Sequence, residues 1–156
     1  MRSVQDNVLL AGLRTLFPAG WYRAAKAARA AADVIRRLRI ATPSPSRLVR
    51  FLSGGNQQKV VVGKWLTAGS RLFIFDEPTR GIDVGAKAEL YGVIDGLVAG
   101  GAAVLMISSE LPEVVAVCDR AYVMRDRTIV GELKRGGSSD TVLSEENILR
   151  MAMHHG

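Results

Sequence analysis

A helix start with two glycines, followed at short distance by an apolar run that ends in two acids, constrains this chain more than any other feature. Residues 52–59 read Leu-Ser-Gly-Gly-Asn-Gln-Gln-Lys, and residues 75–79 read Phe-Asp-Glu-Pro-Thr. Ser53 is a residue type that begins helices, and the apolar run over residues 72–75 is typical of a buried strand. The chain is therefore expected to place Asp76 and Glu77 at the end of a strand, downstream of a glycine-led helix.

Apolar spacing after residue 52 predicts an alternation of helices and strands. Helices are expected at 53–68, 83–98, 111–117 and 144–153, of which three are capped by Ser53, Asp83 and Ser144. Strands are expected at 72–75, 102–107, 121–124 and 128–133. The last two strands form a hairpin around Arg125-Asp126-Arg127. The earlier strand–helix–strand order predicts parallel pairing with right-handed crossovers, which makes the fold class α/β.

The first fifty residues have a different pattern. A helix capped by Ser3 is expected to end near Phe17, and a second helix to cover residues 21–39, before a proline-containing loop at 41–46. We therefore expect a helical subdomain at 1–52, a core at 53–135, and a C-terminal linker and helix at 136–156. Glycines and serines at 136–139 are expected to form a flexible joint at the start of that last part.

Positive charge is concentrated in that first third. Residues 1–50 carry ten Lys/Arg and two Asp/Glu, whereas the remainder carries eleven and thirteen. Nucleic acid, anionic lipid or an acidic protein surface could complement such a segment, and a solvated helix face is the plain alternative. Aromatic residues are not interleaved with the basic ones, which argues against nucleic acid.

Other compositional features restrict the class of protein. The longest nearly apolar run, residues 97–107, is too short to span a bilayer, and the N-terminus has no pattern of a secretory signal. Cys118 is the single cysteine, so no disulfide framework is expected and a reducing compartment fits. We interpret four kinds of residue as packing residues: Cys118, Trp21, Trp65 and the methionines. We interpret His154 and His155 as part of a tail and not as a metal site.

The segment around Ser53 has the properties of an anion site. Free backbone N–H groups and the helix dipole favour an anion at a helix start, and Gly54 and Gly55 permit close approach. The Ser53 hydroxyl can cap the helix or donate to a phosphate oxygen. An ordinary serine cap would explain Ser-Gly-Gly alone, but the following Gln57, Gln58 and Lys59 and the acids downstream favour a phosphate site.

The two acids suggest metal-assisted chemistry. Asp76, at the carboxyl end of a strand, can hold Mg²⁺, usually through water. Glu77 can polarise an attacking water as a general base. An Asp-Glu pair in a surface turn is the alternative, which the preceding apolar strand disfavours. The Gly-x-x-x-x-Gly-Lys-Ser/Thr loop that cradles phosphates in many ATPases is absent from the sequence.

These motifs together resemble the nucleotide-binding domains of ABC transporters. More narrowly, Asn56-Gln57-Gln58-Lys59, Thr79-Arg80-Gly81-Ile82-Asp83 and Ser108-Ser109-Glu110-Leu111-Pro112-Glu113 resemble the second half of the sugar-importer ATPases of the ribose, xylose and galactose type. The resemblance covers nearly the whole chain. It implies a partial P-loop NTPase core with parallel strands, preceded by a helical subdomain and without the Walker A half.

The resemblance also implies roles for individual residues. Ser53, Gly54 and Gly55 would be the signature motif, which in the family contacts the γ-phosphate of ATP on the opposite domain. Asp76 would be the Walker B acid near Mg²⁺, and Glu77 the catalytic base. Further positions matched to the family's nucleotide site are Gln58 and the D-loop residue Asp83.

Two departures from the family pattern limit what the chain is expected to do alone. Ser109 stands at the position of the switch histidine, and the Walker A loop and Q-loop glutamine are missing. We therefore expect a C-terminal fragment of the ATP-binding subunit of a sugar importer, using ATP and Mg²⁺ at the inner face of the plasma membrane. Its expected partners are permease subunits and a nucleotide-binding domain that carries Walker A, and not nucleic acid.

Two other functions remain open from the sequence. One is a non-catalytic module that binds a permease or a partner ATPase without turnover. The other is a DNA-repair or chromosome-maintenance ATPase, which the absence of long coiled coils and zinc modules disfavours. Because core strands would be missing, uncovered apolar faces and poor stability in isolation are also expected.

Overall fold

The computed structural model describes residues 2–153. In this part of the chain seven α-helices and four β-strands follow one another in the order α1 (Val4–Leu9), α2 (Leu13–Leu16), α3 (Ala24–Arg37), α4 (Gly54–Thr67), β1 (Leu72–Asp76), α5 (Val84–Ala99), β2 (Ala103–Ile107), α6 (Leu111–Val117), β3 (Arg120–Arg125), β4 (Thr128–Lys134) and α7 (Glu145–Met153). Short 3₁₀ turns cover Leu10–Gly12 and Val49–Phe51. The predicted alternation after residue 52 is confirmed.

The described residues form two compact units. The first contains residues up to 73 together with 78–105, and the second contains 74–77 together with the residues from 106 onward. The subdivision into 1–52, 53–135 and 136–156 stays a prediction.

The core of the first unit lies where α1, α3 and α4 pack together. The buried apolar residues of these helices include Val4, Val8, Ala27, Ala31 and Val60. Ser3 begins α1 through a capping box with Asp6, as the sequence predicts for the cap. A small residue is required at one point, because a Cβ on Gly63 would lie 2.7 Å from Val34 Cγ1.

The strands β1 and β2 pair with each other. The Ala103 N–H donates to the Arg71 carbonyl at 2.8 Å, and the Glu77 N–H donates to the Ile107 carbonyl at 2.8 Å. Both chains therefore advance in the same direction, which confirms the predicted parallel pairing. Asp76 is the last residue of β1 and lies at the carboxyl end of the strand.

The second unit contains the antiparallel hairpin of β3 and β4, whose register shifts between Val123 and Met124. Its core joins both strands to α7 and the segment before it, through the buried residues Val123, Leu133, Leu143 and Ile148. The Arg135 guanidinium donates to the carbonyls of Val115, Ala116 and Cys118 at the end of α6, at 2.9–3.2 Å. These bonds satisfy carbonyls that a helix end leaves without partners.

Several smaller expectations differ from the structure. The second helix starts at Ala24 rather than at residue 21. Trp21 is 80% exposed and Trp65 is also exposed, so their assignment as packing residues is wrong. His154 and His155 lie outside the described residues. Among the described helices, none combines the length and apolar character that a membrane span requires.

Candidate functional site

The start of α4 carries the residues predicted to bind phosphate. Ser53 has the extended backbone expected of a residue before a helix, but its hydroxyl makes no capping bond. Instead it accepts from Asn56 Nδ2 at 2.9 Å. The predicted capping by the Ser53 side chain is therefore wrong: the hydroxyl accepts from the Asn56 amide and from no backbone N–H of the helix start. The Gln57 N–H donates to the Ser53 carbonyl at 2.9 Å and makes the first turn of the helix. The N–H groups of residues 54–56, which come before it, receive no cap from the Ser53 hydroxyl.

Asn56 also fixes the loop that leads to α4. Its Oδ1 accepts the Ala41 N–H at 2.7 Å, while Gln57 Nε2 donates to the Leu52 carbonyl at 2.9 Å. Lys59 is buried, and its ammonium donates to Glu89 Oε2 at 2.7 Å and to the Arg39 carbonyl at 3.1 Å. The polar residues of the motif thus stabilise the local structure of α4. Gln58 is half-buried.

The two glycines of the motif have different surroundings. Gly54 is exposed, and a Cβ there would contact only Ile82 Cγ2, at 3.2 Å. Gly55 is buried, and a Cβ there would lie 2.7 Å from Ala86 Cβ on α5. Close packing of α4 on α5 therefore requires glycine at position 55, a need that the sequence motif does not reveal.

Asp83 lies at the start of α5. Its Oδ1 accepts the Ala86 N–H at 2.9 Å and caps the helix, as the sequence predicts for this residue. Asp83 is exposed, and it lies in the same unit as the start of α4. Its assignment to the cofactor site stays a prediction.

The two acids after β1 differ in their environment. Asp76 is exposed at the end of the strand, whereas Glu77 is half-buried and has a φ of +46°. Backbone in this region is disfavoured for residues other than glycine. Two hydrogen bonds hold Glu77: its N–H donates to the Ile107 carbonyl at 2.8 Å, and its Oε1 accepts the Ser109 N–H at 2.9 Å.

Thus the structure brings Glu77 and Ser109 together. The contact uses the Ser109 backbone, so no imidazole is needed for it. No group of three or more His, Cys, Asp or Glu side chains within residues 2–153 could hold a metal ion. A magnesium ion at Asp76 would therefore take most of its ligands from water and phosphate, which is the usual habit of Mg²⁺.

Glu113 is a buried acid that lies outside the residues predicted for the site. Its Oε2 accepts the Ser108 hydroxyl at 2.6 Å, and the same hydroxyl accepts the Glu110 N–H at 3.0 Å. The sequence did contain a signal, because an acid at the third position of a helix is typical of a capping box.

Burial, together with the nearby charges of Glu113 and Asp119, raises the pKa of the Cys118 thiol, while Arg135 opposes the shift.

Comparison with curated proteins places these motifs in a known context. The chain is 49% identical over 150 residues to a putative ribose/galactose/methyl galactoside import ATP-binding protein of Agrobacterium fabrum, covering 96% of the chain and 29% of that protein. It is 50% identical over 137 residues to ribose import ATP-binding protein RbsA 1 of Rubrobacter xylanophilus, covering 84% of the chain and 26% of that protein. The chain thus spans less than a third of the length of these relatives. No protein-family model matches it.

Solved structures agree on the fold. An ATP-binding cassette of an ABC transporter superposes with a TM-score of 0.78 at 24% identity, covering 97% of this chain and 62% of that one. A dimeric ATP-binding cassette bound to ADP and Pi superposes with a TM-score of 0.72 at 17% identity, covering 86% and 57%. The chain is therefore homologous to a segment of the sugar-import ATP-binding proteins, and its fold is that of the ABC ATPase domains.

Proposed function

We propose that the chain supplies the signature half of an ABC-type ATP site in a sugar importer. In this function, Ser53 and the backbone N–H groups that follow it bind the γ-phosphate of an ATP whose other phosphate contacts come from a partner nucleotide-binding domain. The observation that supports this most directly is the start of α4, where the Ser53 hydroxyl is not used as a cap. Gly54 keeps this helix end open to an incoming phosphate.

The acids after β1 would serve a second, separate site. Asp76 fits a magnesium ion because its carboxylate is exposed at a strand end. Glu77 fits a base because its carboxylate is held by the Ser109 N–H. ATP supplies the phosphoryl group when bound. We assign the chain's main contribution to the partner's ATP because the start of α4 has no side-chain cap and its N–H groups can bind a phosphate.

The proposed partners follow from the same assignment. A domain that carries Walker A would complete the nucleotide site, and permease subunits would receive the conformational change. With these partners, the chain would act in the cytoplasm at the inner face of the plasma membrane. The basic residues of the first third offer a surface for an acidic protein partner.

Complementation in trans tests this function. The test combines the full chain with a version of the Agrobacterium fabrum relative from which the matching segment has been deleted. We expect neither protein to hydrolyse ATP at an appreciable rate alone, and the mixture to do so. An inactive mixture in which the two proteins nevertheless bind each other would contradict the proposal.

A non-catalytic module is the second candidate, and one feature of the sequence favours it. Ser109 stands at the position that the family resemblance assigns to the switch histidine. This candidate predicts binding to the deleted relative or to a permease without any gain in ATP hydrolysis. The same complementation experiment therefore separates the two functions.

A further inference from the structure

The buried carboxylate of Glu113 has an unusual environment. Glu113 is 2% exposed, yet only its Oε2 has a hydrogen-bond partner in the described part of the chain, and its Oε1 has none. Burying an acid with an unpaired oxygen is unfavourable. Packing alone would be served better by an apolar side chain, so the retained interaction with Ser108 requires an explanation.

Ser108 links Glu113 to the segment before α6. In a capping box, a glutamate at the third helical position accepts directly from the backbone N–H of the residue before the helix. Here the Ser108 hydroxyl lies between the two groups, since it donates to Glu113 and accepts from the Glu110 N–H. The inserted hydroxyl fixes residues 108–110 against the first turn of α6.

That same segment contacts Glu77. The Ser109 N–H, one residue after Ser108, donates to Glu77 Oε1. Because Glu77 has a positive φ, its conformation persists only while its surroundings hold it. The Ile107 carbonyl holds its backbone, and the Ser109 N–H holds its carboxylate. All of these contacts lie within one compact unit.

We infer that Glu113 is a positioning residue, which acts through Ser108 to keep the Ser109 N–H in place for the Glu77 carboxylate. Only the significance of Glu77 as a base rests on the proposed function; the chain of contacts does not. Loss of the Glu113 carboxylate would release Ser108, move the Ser109 N–H and free the Glu77 side chain to rotate.

Hydrogen exchange at the Ser109 amide, measured by NMR on the full chain in dilute solution, tests this inference. In Glu113→Ala and in Ser108→Ala, we expect this amide to exchange at least about fivefold faster, which corresponds to the loss of one hydrogen bond. Glu113→Gln should retain protection, because its amide oxygen can still accept from Ser108. The matched control Glu146→Ala removes an acid from the first turn of α7 and should leave Ser109 unchanged.

A simple helix cap predicts a different pattern. It would speed exchange within the first turn of α6, at the Val114 amide that donates to the Glu110 carbonyl, and leave Ser109 as it was. Unchanged exchange at Ser109 in both Glu113→Ala and Ser108→Ala would overturn the inference. If Glu113→Ala does not fold, Ser108→Ala and Glu113→Gln still test it: Ser109 should exchange faster in the first and stay protected in the second, and unchanged exchange in Ser108→Ala would overturn it. An inactive complementation mixture in which the two proteins bind each other would refute the proposed function without altering this exchange result.

Discussion

Glu77 Oε1 accepts a hydrogen bond from the Ser109 backbone N–H at 2.9 Å. The family resemblance assigns Glu77 to the catalytic base and Ser109 to the switch position. The structure connects them through the main chain, so the identity of the side chain at position 109 does not decide whether Glu77 is held. The neighbouring Ser108, by contrast, works through its hydroxyl.

Deleting the hydroxyl of each serine in turn should change the free energy of unfolding by unequal amounts. Ser108→Ala leaves the buried Glu113 carboxylate without its donor, and we expect it to lower the free energy of unfolding by about 1–3 kcal/mol. Ser109→Ala removes an exposed hydroxyl and should change that free energy by less than about 0.5 kcal/mol. Urea unfolding of both variants measures the difference. Equal effects at the two positions would contradict the role assigned to Ser108.

Two helical glycines make a second matched pair. A Cβ at Gly63 would lie 2.7 Å from Val34 Cγ1 and 3.2 Å from Val8 Cγ1, whereas a Cβ at Gly92 would have no atom within 4 Å. We therefore expect Gly63→Ala to destabilise the chain by about 1–3 kcal/mol through overpacking. Gly92→Ala should stabilise it by about 0.5–1 kcal/mol, because alanine is the better helix former. The urea midpoints of both variants measure these changes. A stabilising Gly63→Ala would show that Val34 and Val8 leave room for a methyl group at position 63.

Much of this arrangement could be predicted from the sequence. The apolar runs and the caps at Ser3 and Asp83 predict where helices and strands lie. The apolar run before Asp76 predicts that this acid lies at the end of β1. These features depend on neighbours within a few positions along the chain. Local pattern is sufficient for them because helices and strands have short periods.

Other features could not be predicted because they depend on side chains meeting across the fold. Asn56 accepts the Ala41 N–H from 15 positions earlier in the chain, and Gly55 is required by Ala86, 31 positions later. The positive φ of Glu77 depends on Ile107 and on Ser109, which belong to the next strand and the segment after it. No periodicity within a single element reports such contacts.

Cys118 gives a chemical probe of the second unit. Because burial and nearby acids raise the pKa of its thiol, less thiolate is present at pH 8 than for an ordinary cysteine, and iodoacetamide should alkylate it more slowly than in the urea-unfolded chain. Asp119→Asn removes one of those acids and should speed the reaction in the folded chain. The raised pKa also means that the unfolded state loses its thiol proton first, so stability should fall as the pH rises through the ordinary thiol range. Equal alkylation rates in folded and unfolded chains would contradict the assignment.

Exposed apolar side chains on β1 and β2 predict self-association. The alternate residues that face away from the buried side of each strand are all half-exposed or more: Leu72, Ile74, Leu105 and Ile107. Large apolar side chains left exposed on strands favour association with other apolar surfaces. We expect the isolated chain to form oligomers as its concentration rises, detectable by light scattering, and Ile74→Lys with Ile107→Lys to reduce them. A monomeric chain with a cooperative unfolding transition would count against this prediction.

The separate roles of the α4 start and of the acids after β1 predict unequal effects in the complementation assay. Gly54→Asp places a carboxylate at the first position of α4, where it complements the helix dipole and should not impair folding. The same charge repels a phosphate, so we expect ATP hydrolysis by the mixture to fall about 100-fold. Glu77→Gln keeps an acceptor for the Ser109 N–H. Because the proposed function assigns the working phosphate contact to the start of α4 and not to Glu77, the mixture should keep most of its activity. Gly92→Ala is the control for a glycine substitution elsewhere on a helix. Full activity with Gly54→Asp, or complete loss with Glu77→Gln, would mean that the chain contributes its acids rather than its α4 start to the working site.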